Sequence, residues 1–200
     1  MNYLAHILVS TDNDDIKIGN FIGDYIKGRI DQTDLSRYSS QMIQGMRLHR
    51  EIDSFTDTHP IVHSSIARLQ PRYHKFSGIV VDMFYDHLLA KHFDQFSETP
   101  LPLFSEQFYT LITHRKSDIP VPMEGMVRSM IKRDWLNNYI HIEGIDWALK
   151  GIAQRAKFAS GIENAAEDLQ RDFALYEGEF LEFFPLLQQH CINWLQENNS

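Results

Sequence analysis

An all-α fold is predicted, on three observations. Apolar residues recur at three- and four-residue spacing through most of the 200 residues. Period-two alternation bounded by turn residues is scarce. Helix-start signals, Asn or Asp ahead of an apolar run and Pro at a first turn, precede several of the segments. Two hundred residues suffice for one core. The chain therefore reads as a single-domain helical bundle over 1–200, its chemistry gathered at about 1–95 and helices at about 103–198 completing the fold.

Asn2 is placed to cap a first helix carrying Tyr3, Leu4, Ile7 and Leu8, which sets His6 in an otherwise apolar segment. The polar run Thr11–Asp15 forms a turn, and Asp15 or a neighbour caps a helix through Ile16, Ile18, Phe21, Ile22, Tyr25 and Ile26. Gly19 and Gly23, one turn apart, permit close approach of another backbone, and Asp24 follows directly. After a polar loop from Gly28 to Ser40, Gln41–Ser54 reads as a helix with His49 and Asp53 one turn apart on one face. Pro60 opens the next helix, with Ile61, Val62, Ile66 and Leu69, ending before Pro71. Phe76 to about Phe93 is apolar around most of its circumference and should be buried. Yet Asp82, Tyr85 and Asp86 share a face there. Like charges at that spacing cost roughly 0.2–0.5 kcal/mol when exposed, and far more when buried unless a cation or a proton intervenes.

Prolines at 100, 102, 120 and 122 divide the next stretch of chain into helices at Leu103–His114 and Met123–Tyr139. Glu143–Asp146 starts another helix. Ile162–Gln189, with a break expected at Pro185, and Cys191–Glu197 close the chain.

Cys191 is the only cysteine, so no disulfide forms within the chain and a reducing compartment is expected. No basic n-region and no long apolar span is visible, which gives the expectation of a cytoplasmic protein with no membrane partner. The net charge of −8 argues against nucleic-acid partners. Residues 161–200 hold eight acids against Arg171 alone, a net of −7, so the acidity is local.

His6, Asp24, His49, Asp53, Asp82, Asp86 and His87 come from four predicted helices, each otherwise apolar. Helical bundles build metal sites from such inward carboxylates and imidazoles. Mixed oxygen and nitrogen donors favour Mn²⁺, Fe²⁺, Mg²⁺ or Zn²⁺, and the chemistry that fits is metal-assisted phosphoester hydrolysis. Acids, histidines and arginines at helical spacing also form ion-pair ladders, so a non-catalytic helical binding module stays open.

The chain resembles the bacterial acyl carrier protein phosphodiesterases, a divergent branch of the HD-domain phosphohydrolases. The likeness is carried by Asn2-Tyr3-Leu4-Ala5-His6, by Gly19 through Gly28, by Leu48-His49-Arg50-Glu51-Ile52-Asp53-Ser54-Phe55-Thr56-Asp57-Thr58-His59-Pro60, and by Asp82 through Ala90. A weaker echo lies at Trp135-Leu136 through Tyr139 and at Gly144-Ile145. The resemblance implies an HD-like helical fold, Mn²⁺ dependence, and cleavage of the phosphodiester joining 4′-phosphopantetheine to a serine of holo acyl carrier protein. It departs from ordinary HD enzymes in one respect: the adjacent pair here is Asp86-His87, in reverse order. Neighbours on a helix point about 100° apart, so the two need not bind one ion.

On this reading Asp24, His49, Asp53, Asp82 and Asp86 are the catalytic set, and His6 and His87 join them as candidate metal ligands. Arg50 and Lys27 are assigned to the substrate phosphate, and Tyr85 to substrate beside its neighbouring acids. Arg68, Arg72 and Lys75, flanking Pro71, are assigned to docking of an acidic carrier protein. Phosphohydrolysis of a nucleotide or another small phosphoester remains an alternative.

Overall fold

The computed structural model of the chain describes residues 1–198. Among these residues every regular element is helical and no strand is present. The capping chemistry behaves as the sequence suggests. Asn2 accepts a hydrogen bond from Tyr3 N at the start of α1 (Tyr3–Leu8). Asn13, the neighbour rather than Asp15 itself, accepts from Asp15 N and Ile16 N at the start of α2 (Asp14–Ile22). Ser39 caps α3 (Ser40–Thr58), and His59 caps α4 (Pro60–Tyr73) with Pro60 in its first turn.

Helix α5 (Ser77–Lys91) is the central element. From Val80 to Ala90 all its residues but Asp82 are buried, as its all-round apolar character requires. It packs against α1, α4, α9 (Ile142–Arg155) and α11 (Phe173–Glu197). Helices α2 and α3 cross with backbones in contact. A Cβ on Gly19 would sit 2.0 Å from the Met42 carbonyl oxygen, and one on Gly45 2.1 Å from that of Ile16. Only glycine permits that approach, and it brings the end of α2 onto the face of α3 that carries His49.

The remaining helices, α6 (Leu101–His114), α7 (Glu124–Lys132), α8 (Trp135–Asn138) and α10 (Ala165–Arg171), complete the bundle with α9 and α11. Several boundaries differ from expectation: α2 ends at Ile22, leaving Tyr25 and Ile26 beyond it, and α3 continues past Ser54 to Thr58. Met123–Tyr139 is two helices, because Asp134 takes a left-handed conformation at φ 47°. Pro71 lies inside α4, which runs on to the buried Tyr73. Helix α11 passes through Pro185 without ending, and the break expected there falls at Asp172 instead. Pro185 is exposed, so its missing N–H costs no buried partner, while Phe183, Phe184 and Leu187 hold the helix to the core. No helix is long and apolar enough to cross a membrane among the described residues.

Candidate active site

Three elements converge on one point. Helix α1 supplies His6, the short turn Gly23–Tyr25 after α2 supplies Asp24, and α3 supplies His49 and Asp53. The two imidazoles stack with ring centroids 4.2 Å apart and an interplanar angle of 27°. Asp53 reaches both, with Oδ1 3.3 Å from His6 Nε2 and Oδ2 3.3 Å from His49 Nε2. Asp24 Oδ1 lies 3.2 Å from the same His49 Nε2. Gly23 makes room for this, since a Cβ there would stand 2.4 Å from the His49 ring.

The far nitrogen of each ring faces an oxygen. His6 Nδ1 lies 2.9 Å from Asn20 Oδ1, and His49 Nδ1 lies 2.8 Å from the Asn20 carbonyl oxygen. Both Nε2 atoms are thus left facing carboxylate oxygens. Burial, and then the neighbouring His49, hold the His6 imidazole below its ordinary pKa. Burial pushes the Asp53 carboxyl up, but the hydrogen bond to His6 and the charges of His6 and His49 outweigh it and leave the group below the usual range. Asp24 is lowered chiefly by its hydrogen bond with His49.

With each Nδ1 donating to an oxygen, each Nε2–carboxylate contact needs a cation between its partners. In the metal-free protein, to which the lowered carboxyl values refer, that cation is a proton on Nε2, and a metal ion can stand in its place. His6, His49 and Asp53 offer donor atoms that all lie within 4.8 Å of one another. Two imidazoles and a carboxylate, with a second carboxylate adjacent, suit a first-row divalent ion with open positions.

The other proposed ligands lie on α5 and are engaged elsewhere. Asp82 Oδ1 is 2.7 Å from the Met1 ammonium, whose pKa this contact raises against the effect of burial. Asp86 accepts hydrogen bonds from the backbone N–H groups of Asn2 (3.1 Å) and Leu4 (2.8 Å), so it fastens the start of α1. Burial pushes its carboxyl up to about 7, opposed by the N-terminal charge and those two N–H groups. His87 turns away to donate from Nδ1 to the Tyr139 carbonyl at 2.7 Å. The reversed pair therefore diverges, as the angle between helical neighbours requires.

Of the residues assigned to substrate, Lys27 donates to the Asp24 carbonyl at 3.1 Å and Arg50 to the Ile26 carbonyl at 2.6 Å, bracing the loop that carries Asp24. Tyr85 is fully buried, its hydroxyl 2.9 Å from Ser65 Oγ. Arg68 makes two hydrogen bonds to Glu179, at 2.6 and 3.0 Å, and Arg72 reaches Asp168 at 2.8 Å. Both arginines pin α4 to the C-terminal helices. Lys75 is exposed and lies over the Phe76 and Phe158 rings.

The cluster sits in a cleft of about 930 Å³ whose wall includes His6, Asp24, His49, Asp53, Asp57 and Asp82. It also includes Met126, Trp135, Trp147, Ile152 and Arg155. The sequence gives no local sign of that second wall, because α7 to α9 lie some hundred residues further along the chain. Asn20 was legible only as a polar residue beside Gly19 in an apolar helix, and Asp57 as one more acid a turn beyond Asp53.

Comparison with known proteins places this all-helical chain among the hydrolases of the phosphodiesterase class. The chain belongs to the acyl carrier protein phosphodiesterase family, whose profile matches residues 1–187. It is 27% identical over 194 residues to the acyl carrier protein phosphodiesterase of Photorhabdus laumondii, covering 96% of each chain. It is 27% identical to that of Enterobacter sp. strain 638, covering 96% of this chain and 98% of the relative. The corresponding figures for that of Yersinia pestis are 26%, 96% and 97%. No solved structure matches.

Proposed function

We propose that this chain is a metal-dependent phosphodiesterase that hydrolyses holo acyl carrier protein to the apo protein and 4′-phosphopantetheine. His6, His49 and Asp53, with Asp24 beside them, are the proposed ligands of one divalent ion, Mn²⁺ first among Mg²⁺, Fe²⁺ and Zn²⁺. The observation that carries this reading is the convergence of two oriented imidazoles and a carboxylate in a cleft with a long apolar wall. The relatives' shared name supplies the substrate. A bound ion would neutralise phosphate charge and lower the pKa of water.

The chain's own residues divide the remaining work. Asp53 and Asp24, both held ionised, keep negative charge beside the histidines. Arg155 lines the same cleft and makes no ion pair among the described residues, which suits it to the substrate phosphate. Met126, Trp135, Trp147 and Ile152 offer an apolar surface to the flexible arm attached to the phosphate. A compact nucleotide would leave that wall uncovered.

The test is a mobility assay for conversion of holo to apo carrier protein by purified enzyme with added Mn²⁺, beside a chelated control. Conversion that stops on chelation supports the reading. Intact holo protein alongside turnover of nucleotides would move the chain to the other branch of phosphoester chemistry.

A further inference from the structure

We infer that Asn20 is the positioning residue that fixes both site histidines in the tautomer a metal ligand requires. The inference rests on the proposed metal centre, and it concerns a residue that touches no reacting atom.

Asn20 is fully buried and all its polar groups are engaged. Its amide nitrogen donates to the His6 carbonyl at 2.8 Å and to Ser10 Oγ at 2.9 Å. Ser10 Oγ itself donates to the His6 carbonyl at 2.9 Å, so it is free to accept. A flipped amide would set its oxygen against that carbonyl, an acceptor against an acceptor. The orientation of Asn20 is therefore determined, and its Oδ1 must face His6 Nδ1 at 2.9 Å. An amide oxygen only accepts, so His6 carries its proton on Nδ1 and its lone pair on Nε2.

The main chain of the same residue repeats the device. The Asn20 carbonyl lies 2.8 Å from His49 Nδ1 and likewise only accepts. One residue thus aims both Nε2 lone pairs at Asp53, 3.3 Å from each. Outer partners of this kind orient ligating histidines and typically contribute 10–100-fold in metal affinity.

The test compares Asn20→Leu with Asn20→Asp. Leucine removes the side-chain acceptor, whereas aspartate keeps it and, protonated in this buried position, also keeps a donor toward the His6 carbonyl. Both leave the backbone carbonyl in place, so His49 is an internal control. Two readouts are taken: the Mn²⁺ dissociation constant, by titration of chelator-treated protein, and the imidazole tautomers of the metal-free protein in alkaline buffer, by ¹⁵N shifts. Asn20→Leu is expected to weaken Mn²⁺ binding by roughly 10–100-fold, with Asn20→Asp recovering most of it. His6 is expected to be Nδ1–H in the wild type and mixed in Asn20→Leu, with His49 Nδ1–H throughout. Equal Mn²⁺ affinity in Asn20→Leu and wild type, or a wild-type His6 protonated on Nε2, would overturn the inference. If Asn20→Leu does not fold, the wild-type tautomers and Asn20→Asp decide. If the wild type binds no divalent ion, the metal-centre reading fails, and the tautomers still decide for or against Asn20.

Discussion

Helices α3 and α5 each carry carboxylates with a histidine within a turn, on segments otherwise rich in apolar residues, and their acids have different partners. On α3, His49 and Asp53 face two other polar side chains across a cleft. On α5, Asp86 is claimed by two backbone N–H groups and Asp82 by the N-terminal ammonium, while His87 bonds a carbonyl on the far side. What separates a candidate ligand from a structural acid is where the rest of its hydrogen-bonding capacity goes. The α3 histidine spends its Nδ1 on a carbonyl and leaves Nε2 facing only carboxylates; the buried α5 acid spends both oxygens on the main chain.

The largest effect is expected on the α3 side. His49→Ala, His6→Ala and Asp53→Asn should each reduce holo-to-apo conversion by more than the roughly 10–100-fold that loss of an outer partner costs. Bound metal, measured by elemental analysis, should fall in parallel. Retained metal and turnover in all three would place the centre elsewhere.

Asp86→Ala should do the reverse. It strands the N–H groups of Asn2 and Leu4, each costing about 1–3 kcal/mol when left unpaired and buried. The melting temperature should drop by several degrees, about 2–4 °C per kcal/mol for a chain of this size, while metal content is unchanged. Metal loss without destabilisation would erase the distinction between the two helices.

The two regions should also titrate with opposite signs. His6 has a lowered folded pKa, so the stability it contributes is complete above its ordinary 6.5 and is lost as pH falls through the lower folded value. Protons compete with a metal ion for the same Nε2, so metal affinity should weaken as pH falls. Asp86 has a raised folded pKa, so its contribution is complete below 3.8 and lost as pH rises through about 7. The stability of wild type relative to Asp86→Asn should therefore decline between those values. Denaturation midpoints across pH, with free metal recorded in parallel, read both.

The sequence makes α3 legible because its evidence is local: His49 and Asp53 are one turn apart, and helical periodicity alone puts them together. His6 could be picked out as a polar residue within an apolar segment and Asp24 as an acid just after one, although their closeness to α3 could not be read. What Asp86 accepts from could not be read in the sequence for a non-local reason, since the donors that satisfy it are more than eighty residues away. The apolar wall of the cleft and Arg155 arise from the packing of α7, α8 and α9 over the N-terminal helices, which leaves no trace in any one segment. Pro185 shows the same limit in the fold. Whether a proline ends a helix depends on which side meets water, and burial decides that only once the helices are packed.

The smallest effects concern the cations near Pro71, where a second contrast runs between engaged and exposed charge. Arg68 and Glu179 are mostly buried and doubly hydrogen-bonded, so Arg68→Ala should cost about 1.5–3 kcal/mol, the range for hydrogen bonds to charged groups. Its KM for holo carrier protein should stay that of the wild type, because the guanidinium is turned inward to α11. Lys75 makes no ion pair among the described residues, and replacing it should alter stability by no more than about 1 kcal/mol, the range for an exposed cation over an aromatic ring. An exposed cation acts on encounter with an acidic partner over roughly a Debye length, near 10 Å at 0.1 M salt. Lys75→Glu should therefore raise KM at low salt, and the difference should vanish as salt is added. A raised KM in Arg68→Ala, with its melting temperature intact, would show that the arginine serves docking after all and that its contact with Glu179 contributes little to the fold.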